Sequence, residues 1–337
     1  MEFNRRVLHE GQDSRNPLLE RVFFLSVVGS NLDEFLMKRI GGLKQLEGAG
    51  VKKLSVDGRT PQEQINECNI VVQDILKQSQ MLEVELKTLL DKEGIVISGY
   101  DQLTKAQKTF ANKFFFDNVY PLLTPQGTDP AHPFPFISNL SLNLLVKVSF
   151  PDAEHAYLNR IKVPVDSGIS SRFIRIGRKD LYVPIEDIIA NNLDLLFPGM
   201  VIESCDFFRV TRNAITERDQ EQANDLLSMI ESALRDRKFA EIVRLEVNPD
   251  MSPALRGMPA AELNINEEED VFEVEGIMAK RHLMQIAQLD RQDLHFPIHQ
   301  AVDHPELLGE DPNIFHIIKG KGSILLQHLS GTVYKRG

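Results

Sequence analysis

Gly29-Ser30-Asn31-Leu32-Asp33-Glu34-Phe35 interrupts, with a glycine and a polar cluster, what otherwise reads as one long apolar helix. Upstream, Asn16-Pro17 joins an asparagine that can cap free amides to a proline whose missing N–H costs nothing at the first helical position, so a helix is expected to begin at Pro17. Leu18, Val22, Leu25, Leu32, Leu36, Ile40 and Leu43 then follow as the stripe of a helix packed on a core, lapsing only at Gly29. Beyond the glycine, Ser30 with Asp33, or Asn31 with Glu34, predicts a capping box that restarts the helix after a kink. A restarted helix would aim free amides and the positive end of its dipole at one spot suited to phosphate or another anion. A kinked helix with a simple cap and no ligand explains the same spacing, and is the commoner use of such a pair.

Thr60-Pro61-Gln62-Glu63 opens the next helix with a capping box and proline at the first helical position. Ile65, Cys68, Val72, Ile75, Ser79, Leu82, Leu86 and Leu89 form a heptad seam with one polar member, Ser79. A helix from Pro61 to Glu93 is roughly 50 Å long, with Gly94 as its stop. With a short first helix and the kinked second, the expectation is an antiparallel helical bundle over residues 1–93.

After Gly94 the texture changes. Thr104 with Gln107 opens a helix carrying Phe110 and Phe114 that stops at Tyr120-Pro121, and a proline-rich passage runs on to Pro135. Period-two alternation from Leu140 to Phe150 predicts a half-buried strand. Further strands are expected at 172–176, 181–183, 201–211 and 241–247, and helices at 185–196 and 218–236. This mixed order predicts an α+β domain over residues 94–300.

A chain of 337 residues exceeds one typical domain, so two domains with separate cores are expected. No run approaches the ~20 apolar residues of a membrane span. The opening Met1-Glu2-Phe3-Asn4-Arg5-Arg6 lacks the apolar segment of a signal peptide, which predicts a cytoplasmic protein. Cys68 and Cys205 lie too far apart for a CxxC zinc site and read as buried thiols. The net charge of −11 divides as −2 over residues 1–93 and −9 over the rest, with a run at Glu267, Glu268, Glu269, Asp270, Glu273 and Glu275 read as a solvated loop face. Such a balance disfavours nucleic acid as a partner unless a basic pocket overrides it.

Chemical motifs are few. Lys321-Gly322-Ser323 has the wrong order for a P-loop, and GxSxG is absent. His295, His299 and His304 have helical metal-ligand spacing only in part, because Pro297 lies between the first two; exposed loop histidines are the expectation. Arg209 and Arg212 could grip a phosphate with their forked guanidinium groups, though an ion pair at a strand end is the commoner role.

Three N-terminal strings, Asn4-Arg5-Arg6-Val7-Leu8, Ser14-Arg15-Asn16-Pro17-Leu18-Leu19-Glu20-Arg21 and Ser30-Asn31-Leu32-Asp33-Glu34-Phe35, resemble the opening of the bacterial polyphosphate kinases of the first type. The resemblance continues, in family order, through Leu123-Thr124-Pro125, Asp129-Pro130-Ala131-His132-Pro133-Phe134-Pro135-Phe136-Ile137-Ser138-Asn139-Leu140-Ser141-Leu142-Asn143-Leu144, Asn192-Leu193-Asp194-Leu195-Leu196-Phe197-Pro198-Gly199-Met200, Phe208-Arg209-Val210-Thr211-Arg212-Asn213 and Ile324-Leu325-Leu326-Gln327-His328. It implies a spectrin-repeat-like helical domain, then an α+β head domain that helps build a homo-oligomer. It also implies an enzyme that moves the terminal phosphate of ATP reversibly onto polyphosphate with Mg2+. The family's nucleotide-contacting asparagine maps onto Asn31.

Two departures accompany the likeness. The family's leading Leu-Ser-Trp segment is missing, and after His328 the chain reads Leu329-Ser330-Gly331-Thr332-Val333-Tyr334-Lys335-Arg336-Gly337, where the family continues into two phospholipase-D-like catalytic domains with the phosphorylated histidine. Residues 301–337 are therefore expected to be the start of the first catalytic domain. The chain alone is expected to be inactive, with no catalytic residue and no metal ligand of its own. Two readings follow: the N-terminal portion of a polyphosphate kinase that supplies one wall of the ATP site, or a stand-alone dimerisation or regulatory module.

Overall fold

The structure is a computed structural model that describes residues 1–51, 54–128, 134–151, 155–165, 171–177, 180–214, 240–297 and 313–321. It forms two compact units, Met1–His295 and Phe296–Gly337. In the second, the described element is the helix Ile314–Lys321, opened by Asn313, whose side chain accepts from the Phe315 N–H at 3.0 Å. The expected helix at 218–236, the histidines His299 and His304, and most of 301–337 lie outside the described residues.

Four helices open the first unit: α1 (Glu2–Gln12), α2 (Leu18–Phe35), α3 (Gly41–Gly48) and α4 (Pro61–Lys92). The capping box of α4 forms as its sequence requires, with Thr60 Oγ1 accepting from Glu63 N–H and Glu63 Oε2 accepting from Thr60 N–H, and Gly94 at φ +80° lies just beyond its end. Arg21 to Glu85 and Arg39 to Gln64 run α2 antiparallel to α4, while Arg5 to Asp74 and Gln12 to Gln78 set α1 parallel to α4. Asn16 does not cap α2; its side chain donates to the Glu10 carbonyl at 2.8 Å, and the helix starts at Leu18.

The kink expected at Gly29 is absent: α2 runs unbroken to Phe35, and Ser30 merely returns its hydroxyl to the Ser26 carbonyl. Neither Ser30 nor Asn31 starts a helix, so the anion site of a restarted N-terminus does not form. The glycine serves close approach instead. A Cβ at Gly29 would lie 2.9 Å from the Arg281 backbone nitrogen and 3.2 Å from Lys280 Cβ. The irregularity falls later, as a π-helical turn at Leu36–Ile40. There the Met37 carbonyl accepts from the Ala214 N–H at 2.9 Å, and Asn213 Nδ2 donates to the Gly41 carbonyl at 3.1 Å.

Nine described strands make two sheets. The six-stranded sheet has the order β2 (Gln126–Thr128), β4 (Ala156–Lys162), β3 (Leu142–Ser149), β7 (Val201–Arg212), β8 (Ile242–Val247) and β9 (Val271–Glu273). All its pairs are antiparallel except β8 with β9. The small sheet runs β1 (Val96–Ile97), β6 (Leu181–Pro184), β5 (Phe173–Arg175). Strand β3 is covered on both faces rather than half-buried: Leu142, Leu144, Val146 and Val148 join one core, and Leu145 joins another. Its polar position Asn143 is sealed in as well, accepting from Arg160 Nε at 2.8 Å.

Helix α5 (Lys105–Phe114) carries the expected Thr104–Gln107 box. Helix α6 (Ile185–Ala190) ends earlier than expected, because Asn192 Nδ2 donates to the Ile188 carbonyl at 2.9 Å and closes it. The acidic run is solvated at Glu267, Glu268, Glu273 and Glu275 as expected, but Glu267–Asp270 is a short helix leading into β9 rather than a loop, and Asp270 is buried with Lys44 Nζ at 2.6 Å. Both cysteines are free and half-buried, and burial pushes the Cys205 thiol up to about 12.

One core gathers α1 to α4 together with Phe173, Tyr182, Val243, Phe272, Ile277, Leu283 and Ile286 from later segments. Among the described residues no helix is long and apolar enough to cross a membrane. Replacing Gly29 by alanine is expected to lower stability to urea by about 1–3 kcal/mol through overpacking against Lys280-Arg281. A gain of about 1 kcal/mol, the intrinsic preference of a helix interior for alanine, would mean that the close approach is not there.

Candidate functional site

The sheet face that receives α2 carries charges where a core would be apolar. Arg209 on β7 and Arg244 on β8 are each only 1% exposed, and both reach Asp33 on α2. Asp33 Oδ1 accepts from Arg209 Nη1 at 3.0 Å and from Arg244 Nη2 at 2.6 Å, while Oδ2 accepts from Arg209 Nη2. Glu246 completes the group, 2.5 Å from Arg209 and 3.2 Å from Arg244. The arginines are pinned in turn, Arg209 Nε by the Leu140 carbonyl and Arg244 by Thr211 Oγ1. Burial alone would raise the Asp33 carboxyl, but the two guanidinium groups outweigh it and hold Asp33 below its ordinary value.

A second tie links α4 to the segment Ile277–Leu283. Glu83 is buried, accepts from the Ile277 N–H at 3.1 Å and pairs with Lys280 and Lys87, each at 2.7 Å. Arg172 pairs with Glu186 and donates to the Met278 and Ala279 carbonyls, which holds the same segment from its other side. Within that segment burial, followed by the charges of Arg172, Arg281 and Arg209, pushes His282 down to about 3, so its imidazole is neutral at physiological pH.

This arrangement decides what Arg209 does. A void of about 20 Å³ lies against Asp33, Arg209, Arg244, Glu246 and Ser79, the size of a single water and far below any nucleotide. Arg209 is a structural ion-pair member and not a phosphate clamp. Arg212 spends its donors on the Ile137 and Ala240 carbonyls and lies over the Phe136 ring at 4.7 Å. A larger groove of about 1120 Å³ runs between α4 and the stretch Asn266–Glu275; Glu267, Glu268, Glu273 and Glu275 line it together with Lys77, Arg256 and Lys280, and Arg256 is already paired with Glu267 and Glu273. His295 Nε2 donates to the Leu289 carbonyl at 3.0 Å, and its Nδ1 lies 3.0 Å from Glu20 Oε1. The described residues contain no grouping of three or more His, Cys, Asp or Glu side chains able to hold a metal ion.

Asn31 stands apart from these ties. Its Nδ2 is buried and has no hydrogen-bond partner among the described residues. Two residues from Asp33, it leaves α2 about 200° around the helix axis from that carboxylate. Phe24, Val27 and Phe35 share its side of the helix at intervals of four and seven residues, and all three are only partly covered.

Sequence reasoning quoted Asp33 only as a cap partner and missed Arg244, Glu246, Glu83 and Lys280. The available signal was charge inside a run otherwise apolar, Ile242-Val243-Arg244-Leu245-Glu246-Val247, where an arginine and a glutamate share one strand face.

The chain belongs to the polyphosphate kinase family. Residues 1–98 match the polyphosphate kinase N-terminal domain and residues 106–286 the polyphosphate kinase middle domain. The chain is 39% identical over 354 residues to a polyphosphate kinase of Synechocystis sp., covering 97% of this chain and 48% of that protein. It is 40% identical over 333 residues to one of Thermosynechococcus vestitus, covering 96% and 44%. It thus spans about half the length of the curated relatives it matches. The crystal structure of polyphosphate kinase from Porphyromonas gingivalis aligns with a TM-score of 0.71 at 20% identity, over 94% of this chain and 44% of that one, a likeness of fold.

Burial and the neighbouring Glu186 push the Asp187 carboxyl up to about 7, with Arg172 and Lys87 opposing and Asp101 adding to the rise. A carboxyl raised in the folded state stabilises it fully below about pH 4, and that contribution is lost as pH climbs to 7. Asp187→Asn is therefore expected to gain on the native protein between pH 4 and 7, by on the order of 3 kcal/mol in urea unfolding, and to stay level above. A constant difference across that window would place the Asp187 carboxyl in water.

Proposed function

We propose that this chain is the N-terminal and middle portion of a polyphosphate kinase that transfers the terminal phosphate of ATP reversibly to polyphosphate, and that Asn31 contacts the nucleotide. The observation that carries this reading is the buried, unpartnered Nδ2 of Asn31. A buried donor without an acceptor costs about 1–3 kcal/mol, and a hydrogen bond to ATP would remove that cost. The half-covered apolar side chains around Asn31 supply a surface that a nucleotide wall requires.

The phosphorylated histidine, the cationic groups around the moving phosphate and the magnesium site belong, in this reading, to catalytic domains like those of the longer relatives. The acidity of the chain fits a portion that holds no polyphosphate itself. The same reading assigns a cytoplasmic location, since ATP is the donor, and self-association through the middle segment. There Phe116 and Tyr120 stack at 5.9 Å while both remain exposed.

The purified chain is expected to make no polyphosphate from ATP, and to restore synthesis when mixed with the catalytic portion of a related kinase. Asn31→Ala is expected to raise the ATP concentration needed in that mixture about tenfold while leaving urea stability equal or higher. Unchanged ATP dependence with a loss of stability would make Asn31 a structural residue. Sedimentation is expected to show a dimer that Phe116→Ser weakens.

A further inference from the structure

We propose that Asp33 is the positioning residue for Asn31: its clamp on Arg209 and Arg244 sets the rotation of α2 about its own axis and so fixes where Asn31 is presented. The proposal rests on the reading of Asn31 as a nucleotide contact. It adds the device that aims it.

Helix α2 needs such a device because its apolar residues do not single out one face. Leu25, Val28, Leu32 and Leu36 are buried, yet Phe23, Phe24, Val27 and Phe35 occupy the other sides. Hydrophobic burial is non-directional, so a helix apolar nearly all round gains similar area at several rotations. The forked hydrogen bonds of arginine to a carboxylate are directional and admit one.

Three contacts lie on a single stripe of α2, at intervals of three, four and seven residues. Ser26 Oγ donates to the Arg281 carbonyl at 2.7 Å, Gly29 lets the Lys280-Arg281 backbone come to contact, and Asp33 takes three hydrogen bonds from two arginines. Ser26 and Gly29 provide a smooth bearing. Asp33 provides the lock, and its partners are immobile because Leu140 and Thr211 hold them. Asn31 then projects to the opposite side, where its Nδ2 is held without a protein acceptor.

The test follows the Asn31 side-chain amide by 15N NMR in the full 337-residue chain with asparagine labelled, assigned through Asn31→Gln. In Asp33→Asn, nearly the same shape without the charge, the Asn31 Nδ2 resonances are expected to shift and their solvent exchange to rise at least tenfold. Glu186→Gln breaks a buried ion pair with Arg172, which reaches α2 only through the segment Ile277–Leu283, and is expected to lower stability while moving them far less than Asp33→Asn does. Thr211→Val loosens Arg244 alone and is expected to act in the same direction as Asp33→Asn but less, and it decides the matter if Asp33→Asn does not fold.

Unmoved Asn31 resonances in folded Asp33→Asn, or in Thr211→Val where that variant decides, would overturn the proposal. So would an equal shift in Glu186→Gln. Addition of ATP with magnesium chloride to the native chain mixed with the catalytic portion of a related kinase separates the two readings. If ATP leaves the Asn31 resonances in place while Asp33→Asn moves them, the nucleotide contact is wrong and the positioning stands.

Discussion

The carboxylate of Asp33 is the only charge α2 sends into the sheet, and the arrangement of the first unit depends on its meeting Arg209 and Arg244. Two guanidinium groups 1% exposed cannot be left to water, and removing one partner of such a group costs about 3–5 kcal/mol. The ion pairs need not add net stability over a well-packed apolar core. What they add is geometry, because only one placement of α2 satisfies Asp33, Glu246, Thr211 and the Leu140 carbonyl together. The Glu83–Lys280 tie and the Arg172–Glu186 tie fasten the intervening segment Ile277–Leu283 from two sides.

From that geometry the functional surfaces sort themselves. Cations on the sheet side of α2 are sealed and matched with carboxylates, so they stabilise no phosphate. The groove between α4 and Asn266–Glu275 is lined by glutamates together with Lys77, Arg256 and Lys280. On the side of α2 away from Asp33 lie the half-covered Phe24, Val27 and Phe35 with Glu20, Glu34 and Asn31 among them, and the buried Asn31 donor has no acceptor in the described residues. Membership of the polyphosphate kinase family gives that donor a nucleotide as its proposed acceptor.

Local signals in the sequence were legible. The boxes at Thr60-Glu63 and Thr104-Gln107 form as written, because a cap involves residues only three apart. Helical and mixed α+β segments followed from periodicity, and β3, β7 and β8 of the large sheet fell close to their expected limits, whereas β2, β4 and β9 were not anticipated. Gly29 misled because a glycine has two uses, a break in the local backbone and room for a distant one. The segment it makes room for, Lys280-Arg281, lies some 250 residues away, beyond any spacing rule. Asp33 misled in the same way: as a cap partner it is a local residue, but its actual partners lie 176 and 211 positions along the chain. Asn31 was legible through family resemblance alone, since an unsatisfied donor is a property of packing.

The central claim is that α2 and strands β7 and β8 are one cooperative structure, joined by the buried ions. Native-state hydrogen exchange across low urea concentrations tests it most directly. The account predicts that the amides of Leu25, Val28 and Leu32 merge with those of Val210 and Leu245 into a single opening free energy. Exchange of α2 through a separate, lower-energy opening, with β7 and β8 still fully protected, would contradict it.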